Sequence, residues 1–379
     1  LGNTYLSEAA AQRLRQGLPW AFREEIVSMD GAPDGQPFQL RTPSGERLGL
    51  ADVDLRSALA VRRIGLPHEH PEGLIPRHLR RALERRATWI DDPRFCRVVH
   101  DDGDGLPGLL IDRFDQHYVV QTFTRAMDAR TEEIARALQE LTHPASILLR
   151  RDSPRRARLE LPLERPHVLA GSPPRWSRML ELGARMTFDL QLGLGTGYFY
   201  DLREVRRLLR HLASGTRVLD LCCYVGGLFV HAGRAGARSI VACEQSPEAA
   251  ELARENAEVN GLIGRTRIVI GDALALLESG EGPFDLVLLD PPYFASDDPR
   301  FAELLRRTVH ATRHGGRLIA VAPRSTLSGT RFEHLLSAAC QQEGRFAVKL
   351  AQVGLPPDFP TVLAAAGAEP LHAVALELS

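Results

Sequence analysis

Apolar positions along the chain follow two periods, and the change from one to the other divides it. Over residues 1–66 short alternating runs are separated by turns. "PFQLRTPSGERLGLADV" predicts two extended segments around Ser44-Gly45, and "SALAVRRIG" predicts another strand, which together make a small β-rich module. Residues 67–192 mix the periods. A basic helix is expected over 77–90, followed by strands between Gly- and Asp-rich turns in "FCRVVHDDGDGLPGLLIDRFDQHYVVQTF". A helix in "DARTEEIARALQELT", with Asp128 as N-cap, and a strand in "ASILLRR" complete a compact α+β middle domain. "ERPHVLAGSPPRW" has the proline and glycine content of a connection.

Over residues 193–379 the period becomes β-α-β-α. "TRVLDLCC", "SIVACEQ", "TRIVIGDA", "FDLVLLD" and "GRLIAVAP" are short apolar strands with helical segments between them. The helix "SPEAAELARENAEVNGL" has Ser246 at its N-cap, Pro247 in its first turn and Gly261 just past its end. Near-continuous apolar strands alternating with helices predict an α/β, doubly wound, Rossmann-like sheet. "FAVKLAQVG" and "LHAVALEL" are expected to pair as antiparallel edge strands.

Composition narrows the function classes. Apolar content of 44% and charged content of 25% are ordinary for a globular protein. There is no apolar run of membrane-spanning length and no basic-then-apolar leader, so the expected setting is the cytoplasm, with no membrane partner. Cysteines at 96, 222, 223, 243 and 340 form no metal-ligand spacing, so no metal site is expected. A net charge of −1 gives no global nucleic-acid signature. Basic residues do cluster in "RHLRRALERR", where Arg77, Arg81 and Arg85 share a helical stripe, and in "RRDSPRRAR". Either cluster is a solvated face or a phosphate-contacting surface.

Candidate chemistry gathers where the predicted strands end, the place at which open α/β sheets bind ligands. "VLDLCCYVGGLFVHAG" runs from a strand through Gly226-Gly227 into a helix without the G-x-G-x-x-G of a dinucleotide site, which suits a cofactor lacking phosphate. The next strand ends in Glu244, an acid placed to accept from ribose hydroxyls, and the third in "GDAL", where Asp272 could meet an adenine amino group. The fourth runs into Asp290-Pro291-Pro292-Tyr293, and neither proline can continue a sheet ladder. Together these four ends specify S-adenosylmethionine (AdoMet) better than a nucleotide.

"GTGYFYDLREVRRLL" followed by "LDLCCYVGGLFVHAGRAGA" resembles the RlmI-type large-subunit rRNA methyltransferases; "LRQGLPWAFREEI" and "GDGLPGLLIDRFDQHYVVQ" extend the resemblance over nearly the whole chain. It implies a PUA-like RNA-binding domain (1–66), an α+β middle domain (67–192) and a class I methyltransferase domain (193–379). It also implies that Tyr198, Asp201, Arg203, Asp220, Tyr224, Gly226, Glu244, Asp272 and Asp290 surround AdoMet. The partner implied is RNA, large-subunit rRNA or a pre-ribosomal particle; a homodimer is left open.

Three positions depart from the family pattern. Members that make 5-methylcytosine carry a cysteine after the fifth strand, where Pro323 stands here. The family's Asp-His-Pro becomes Asp358-Phe359-Pro360, and its Tyr-Leu-Lys is replaced by "PLHAV". Carbon 5 of cytosine is a poor nucleophile, and its methylation needs a thiolate added at C6 first. Without that cysteine the expected acceptor is a base nitrogen, guanine favoured, with Asp290 and the Pro291 carbonyl accepting amine hydrogens and Tyr293 stacking on the base. Two alternatives stand beside it: cytosine C5 chemistry using another thiol, and a catalytically silent RNA-binding or ribosome-assembly protein.

Overall fold

The computed structural model describes residues 1–31, 36–292, 294, 298–322, 327–365 and 371–379. The chain divides into two compact units, one of residues 1–175, 190–198 and 357–366, the other of 176–189, 199–356 and 367–379. No helix of the described residues is long and apolar enough to cross a membrane.

The first unit opens with a six-stranded sheet. Its centre is the expected hairpin: Phe38–Arg41 and Arg47–Val53 pair antiparallel, with Gln39 opposite Leu50. Helix Glu8–Arg15 starts where Ser7 Oγ accepts the Ala10 N–H, and it turns Ala10, Ala11 and Leu14 into the core under that sheet.

A five-stranded sheet follows, built from Phe95–His100, Leu109–Phe114, His117–Thr122, Ser146–Leu149 and His167–Gly171. Helices Leu74–Trp89 and Thr131–Thr142 bury Ile75, Leu79, Ile134 and Leu138 in the same core as Val98, Ile111 and Val120. Two expectations are corrected here. "HVLAG" is not a connection: His167–Gly171 pairs antiparallel with Ser146–Leu149 as an edge strand, a position that tolerates flanking proline and glycine. Asp128 is not an N-cap. Thr124 caps the short helix Arg125–Ala129, and the chain turns at Arg130 before Thr131–Thr142 begins. Asp128 lies inside the short helix, where Arg156 occupies its carboxylate at 2.8 and 3.0 Å.

That pair shows what the arginine clusters do. Arg156 is fully buried on Asp128, Arg150 pairs with Asp152 at 2.8 Å, and Arg151 pairs with Glu164 at 3.1 Å. On helix Leu74–Trp89, Arg77 donates to the carbonyls of His70 and Glu72, Arg81 pairs with Glu69 at 2.9 Å, and Arg85 pairs with Asp104. Most of the charge read as a candidate phosphate surface thus holds this unit together. Removing one partner of a buried pair such as Arg156–Asp128 would cost about 3–5 kcal/mol, because the other charge stays buried.

In the second unit the chain lays down the strands β1 (Arg217–Leu221), β2 (Ser239–Glu244), β3 (Thr266–Ile270), β4 (Phe284–Leu289), β5 (Thr312–Val321), β6 (Ala347–Val353) and β7 (Ala373–Leu378). Their order is 3-2-1-4-5-7-6, with β1 to β5 parallel and β7 antiparallel to both neighbours. Of the two strands expected at the edge, only β6 is there; β7 is interior. Helices α1 (Arg203–Leu212), α2 (Gly227–Arg234), α3 (Pro247–Val259), α4 (Ala273–Glu278), α5 (Pro299–Ala311) and α6 (Gly329–Gln342) alternate with the strands. α3 begins as predicted, with Ser246 Oγ accepting the Ala249 N–H at 3.2 Å and Pro247 in the first turn. Hairpin Trp176–Glu181/Ala184–Asp189, which the boundary at 192 assigns to the middle domain, clusters with this unit. Asn256 of α3 holds it through both the N–H and the carbonyl of Thr187.

Candidate active site

Parallel register brings the strand ends level. Leu221 lies opposite Cys243 and Leu289, and Glu244 opposite Ile270, so Asp220, Glu244, Asp272 and Asp290 collect along one edge of the sheet. The loop leaving β1 is tightly wound: Cys222 (φ 62°) and Tyr224 (φ 51°) are left-handed, and Gly226 (φ 87°) opens α2. Non-glycine residues held there cost of order 1–3 kcal/mol each, so the surroundings must impose the shape. They do so by hydrogen bonds: Cys223 N–H to the Cys243 carbonyl (2.9 Å), Gly226 N–H to the Cys223 carbonyl (2.8 Å) and Tyr224 N–H to Glu244 Oε2 (2.8 Å). Glu244 Oε1 accepts from Ser246 N–H at 2.9 Å, which ties the same carboxylate to the start of α3.

Asp220 is fully buried. Its Oδ2 accepts the Phe229 N–H at 3.0 Å, while its Oδ1 has no hydrogen-bond partner among the described residues. Burial, then the charges of Asp290 and Glu244, pushes its carboxyl well above the usual range. Among the described residues Asp220 Oδ1 is left as one open acceptor beside two further acids, so the edge favours a ligand that brings a donor and positive charge. AdoMet carries a sulfonium and an α-amino group and no phosphate, so this edge fits it. A Cβ on Gly226 would lie 2.5 Å from the Phe229 ring, so the loop keeps its close approach only with glycine.

The remaining predicted residues stand as follows. Asp272 is the N-cap of α4: its Oδ1 accepts from Leu274 and Ala275 at 2.9 and 3.2 Å, and its Oδ2 lies 3.2 Å from Arg300. Its free acceptor capacity for an adenine amino group is therefore reduced. Asp201 sits in the turn Tyr200–Leu202, next to Phe199, whose ring meets Tyr224 edge-on at 5.4 Å. Arg203, at the start of α1, is buried and donates through Nε to Glu181 Oε1 at 2.9 Å. Tyr198 is buried too and groups with the first unit. Asp290 follows β4, and its N–H reaches the Leu221 carbonyl at 3.5 Å. Pro291 is buried, while Tyr293 and Pro323 lie outside the described residues.

The other departures also find places. Asp358 is fully buried in the first unit, its Oδ2 accepting the Arg97 N–H at 2.9 Å and its carbonyl accepting from Arg86 at 2.7 Å. Phe359 lies under the Arg97 guanidinium, 4.7 Å from centroid to Cζ, and 4.9 Å from the His100 ring. In the second unit His372 pairs with Glu333 at 2.9 Å. Glu181, which no sequence signal singles out, is the residue the reading missed: its partners stand 22 and 25 positions away.

A mostly parallel sheet of this order, with acids at the C-terminal ends of its strands and no phosphate-binding loop among the described residues, defines a Rossmann-like methyltransferase domain. The chain belongs to the S-adenosylmethionine-dependent methyltransferases, whose family description it matches over residues 99–374, and residues 5–65 match a PUA-like domain. It is similar to Ribosomal RNA large subunit methyltransferase I of Aeromonas hydrophila, at 29% identity over 375 residues and 94% of each chain. The protein of the same name from Klebsiella pneumoniae is 26% identical over 376 residues, covering 94% of this chain and 93% of that one. Among solved structures, a Streptococcus mutans protein described as a SAM-dependent methyltransferase has the same fold, with TM-score 0.85 at 19% identity over 99% of both chains. The M. jannaschii tRNA m1G37 methyltransferase shares the fold more loosely, with TM-score 0.51 at 16% identity and 76% of each chain covered.

Proposed function

We propose that this enzyme methylates a base nitrogen of large-subunit rRNA, guanine favoured over cytosine C5, and that it works in the cytoplasm. One observation carries the choice of atom: no cysteine of the chain is set up as a nucleophile. Cys96, Cys223, Cys243 and Cys340 are buried, and only Cys222 is partly accessible. Burial, then Asp290 and Glu244, pushes the Cys222 thiol far up, and burial and Glu244 take Cys243 to about 11. A catalytic thiolate needs the opposite surroundings, positive charge and access. The likeness to the rRNA enzymes and the PUA-like domain support RNA as the substrate.

AdoMet supplies a methyl group on a sulfonium, electrophilic enough for a nitrogen lone pair to attack without covalent help from the protein. In this reading the chain's residues bind and orient. Glu244 accepts from the ribose hydroxyls, and Asp220 meets the positive end of the cofactor through its unmatched oxygen. The Tyr224–Gly226 loop gives close backbone approach, Asp272 faces the adenine, and Asp201 and Arg203 complete the wall. Asp290 and the Pro291 carbonyl accept hydrogens of the base, and Tyr293 stacks on it. Asp290 takes up the proton released by an exocyclic nitrogen. Such positioning is worth roughly 7–11 kcal/mol of barrier, and the base must first be flipped out of its stack.

The test is mass spectrometry of nucleosides after undermethylated large-subunit rRNA is incubated with the enzyme and methyl-labelled AdoMet. A methylated guanine is the expected product. 5-Methylcytosine would overturn the choice of atom. Tight AdoMet binding with no product on naked RNA or on pre-ribosomal particles would favour a silent RNA-binding protein.

A further inference from the structure

Glu181 ends the first strand of the hairpin that clusters with the methyltransferase sheet. Its side chain is 7% exposed, yet it carries an ionised carboxylate: burial alone would raise its pKa, and Arg206, Arg203 and His231 hold it at about 2. Oε1 accepts from Arg203 Nε at 2.9 Å and from Arg206 Nη2 at 3.3 Å, and Oε2 pairs with Arg206 Nε at 2.6 Å. The Glu181 main-chain carbonyl faces His231 Nε2 of α2 at 3.1 Å. One residue therefore holds α1 by its side chain and α2 by its backbone.

The two arginines pass that anchorage on. Arg206 Nη2 donates to the Phe199 carbonyl at 2.9 Å, and the Arg203 guanidinium lies over the Tyr200 ring, 5.1 Å from its centroid. The Phe199 ring meets Tyr224, whose N–H is bound by Glu244. A series of contacts thus runs from Glu181 through Arg203 and Arg206 of α1 to Phe199 and on to Tyr224, and between Phe199 and α1 the chain makes the single turn Tyr200–Leu202. Two buried arginines side by side repel each other and would swing away without the carboxylate between them.

We propose that Glu181 is a positioning residue of the methyltransferase site. By clamping Arg203 and Arg206, it sets the Phe199–Tyr200 backbone against Tyr224 and so fixes the wall of the AdoMet pocket. This rests on the reading that the Tyr224–Gly226 loop and Glu244 bind AdoMet.

The experiment uses the full chain with AdoMet and undermethylated large-subunit rRNA. Calorimetry gives AdoMet affinity, steady-state methyl transfer gives kcat and KM for RNA, and thermal melting gives stability. Glu181→Gln should weaken AdoMet binding tenfold or more with KM for RNA within a factor of three, and Glu181→Asp, which keeps the charge, should recover part of that loss. Glu343→Gln breaks another ion cluster of the same unit, with Arg306 and His310; it should lower the melting temperature and leave AdoMet affinity at the wild-type value. Glu244→Gln separates the two failures. If it loses AdoMet affinity and Glu181→Gln does not, the positioning role is wrong; if Glu244→Gln binds normally, the pocket reading itself is wrong. Should Glu181→Gln fail to fold, Arg206→Lys keeps a charge but loses the guanidinium fork, and unchanged AdoMet affinity there would equally overturn the proposal.

Discussion

Replacing Gly226 with alanine puts the geometry of the loop between β1 and α2 under direct strain. At φ 87° and ψ 21° the residue is left-handed, which costs an L-residue about 1–2 kcal/mol. The new Cβ would lie 2.5 and 2.6 Å from Cε1 and Cζ of Phe229, a fully buried ring. Carbon atoms rest about 3.5–4.0 Å apart, so ring or loop must give by about 1 Å. Overpacking of that kind adds about 1–3 kcal/mol. The sum is about 2–5 kcal/mol. If the loop moves rather than the ring, AdoMet binding bears the cost, and even 2 kcal/mol is about 30-fold in Kd. The control is Gly261→Ala, left-handed at φ 69° with nothing within 4 Å of the added Cβ. It should show the backbone cost alone, with AdoMet affinity unchanged. Calorimetric titration with AdoMet and thermal melts of both variants decide the matter. Equal melting temperatures for the two, with wild-type AdoMet affinity in Gly226→Ala, would refute the reasoning.

Asp220→Asn should melt higher than wild type at pH 7.5. Burial, Asp290 and Glu244 raise this carboxyl, so ionisation costs the folded state nothing below the ordinary value near 3.8 and progressively more as pH rises above it. The gain should shrink toward pH 4 and come with weaker AdoMet binding; a lower melting temperature at pH 7.5 contradicts this. Cys222→Ser should retain methyl transfer, and collapse of turnover with AdoMet binding intact would return a thiol to the chemistry. His231 is pushed by burial and Arg206 from 6.5 to about 4, so its contribution to stability is complete above 6.5 and lost as pH falls through about 4. His231→Asn should therefore remove about one of the protons taken up on unfolding near pH 5, measured from the pH dependence of the unfolding free energy; an unchanged uptake would show that the ring is not held neutral.

What could be read from the sequence was local. β1 to β5 and the Ser246-Pro247 start of α3 follow from apolar runs and capping chemistry within a few residues of each other, and acids that end strands in register are carried to one edge by the sheet itself. What could not be read depends on distant partners. "RRDSPRRAR" looks like a phosphate surface until Asp128, 28 residues before Arg156, takes its charge. Asp128 in turn looks like an N-cap of Thr131–Thr142 until the structure puts it inside the preceding short helix with its carboxylate on that arginine. Asp272 ends its strand as read, but its cap to Leu274 and Ala275 takes up acceptor capacity that the strand pattern does not show. Glu181 has no motif at all, because its meaning lies in α1 and α2.

The burial of Asp358 against Arg97 and Arg86 has a consequence for synthesis on the ribosome. These contacts span 261 and 272 residues, so the first unit emerges with two arginines whose late partners are not yet made. At roughly 5–20 residues per second, 261 residues take about 13–50 s. For that interval strand Phe95–His100 lacks the acceptor for the Arg97 N–H and the cover of Phe359. The first unit should thus gain protease resistance in two stages, the second only once Asp358 and Phe359 are free of the ribosome.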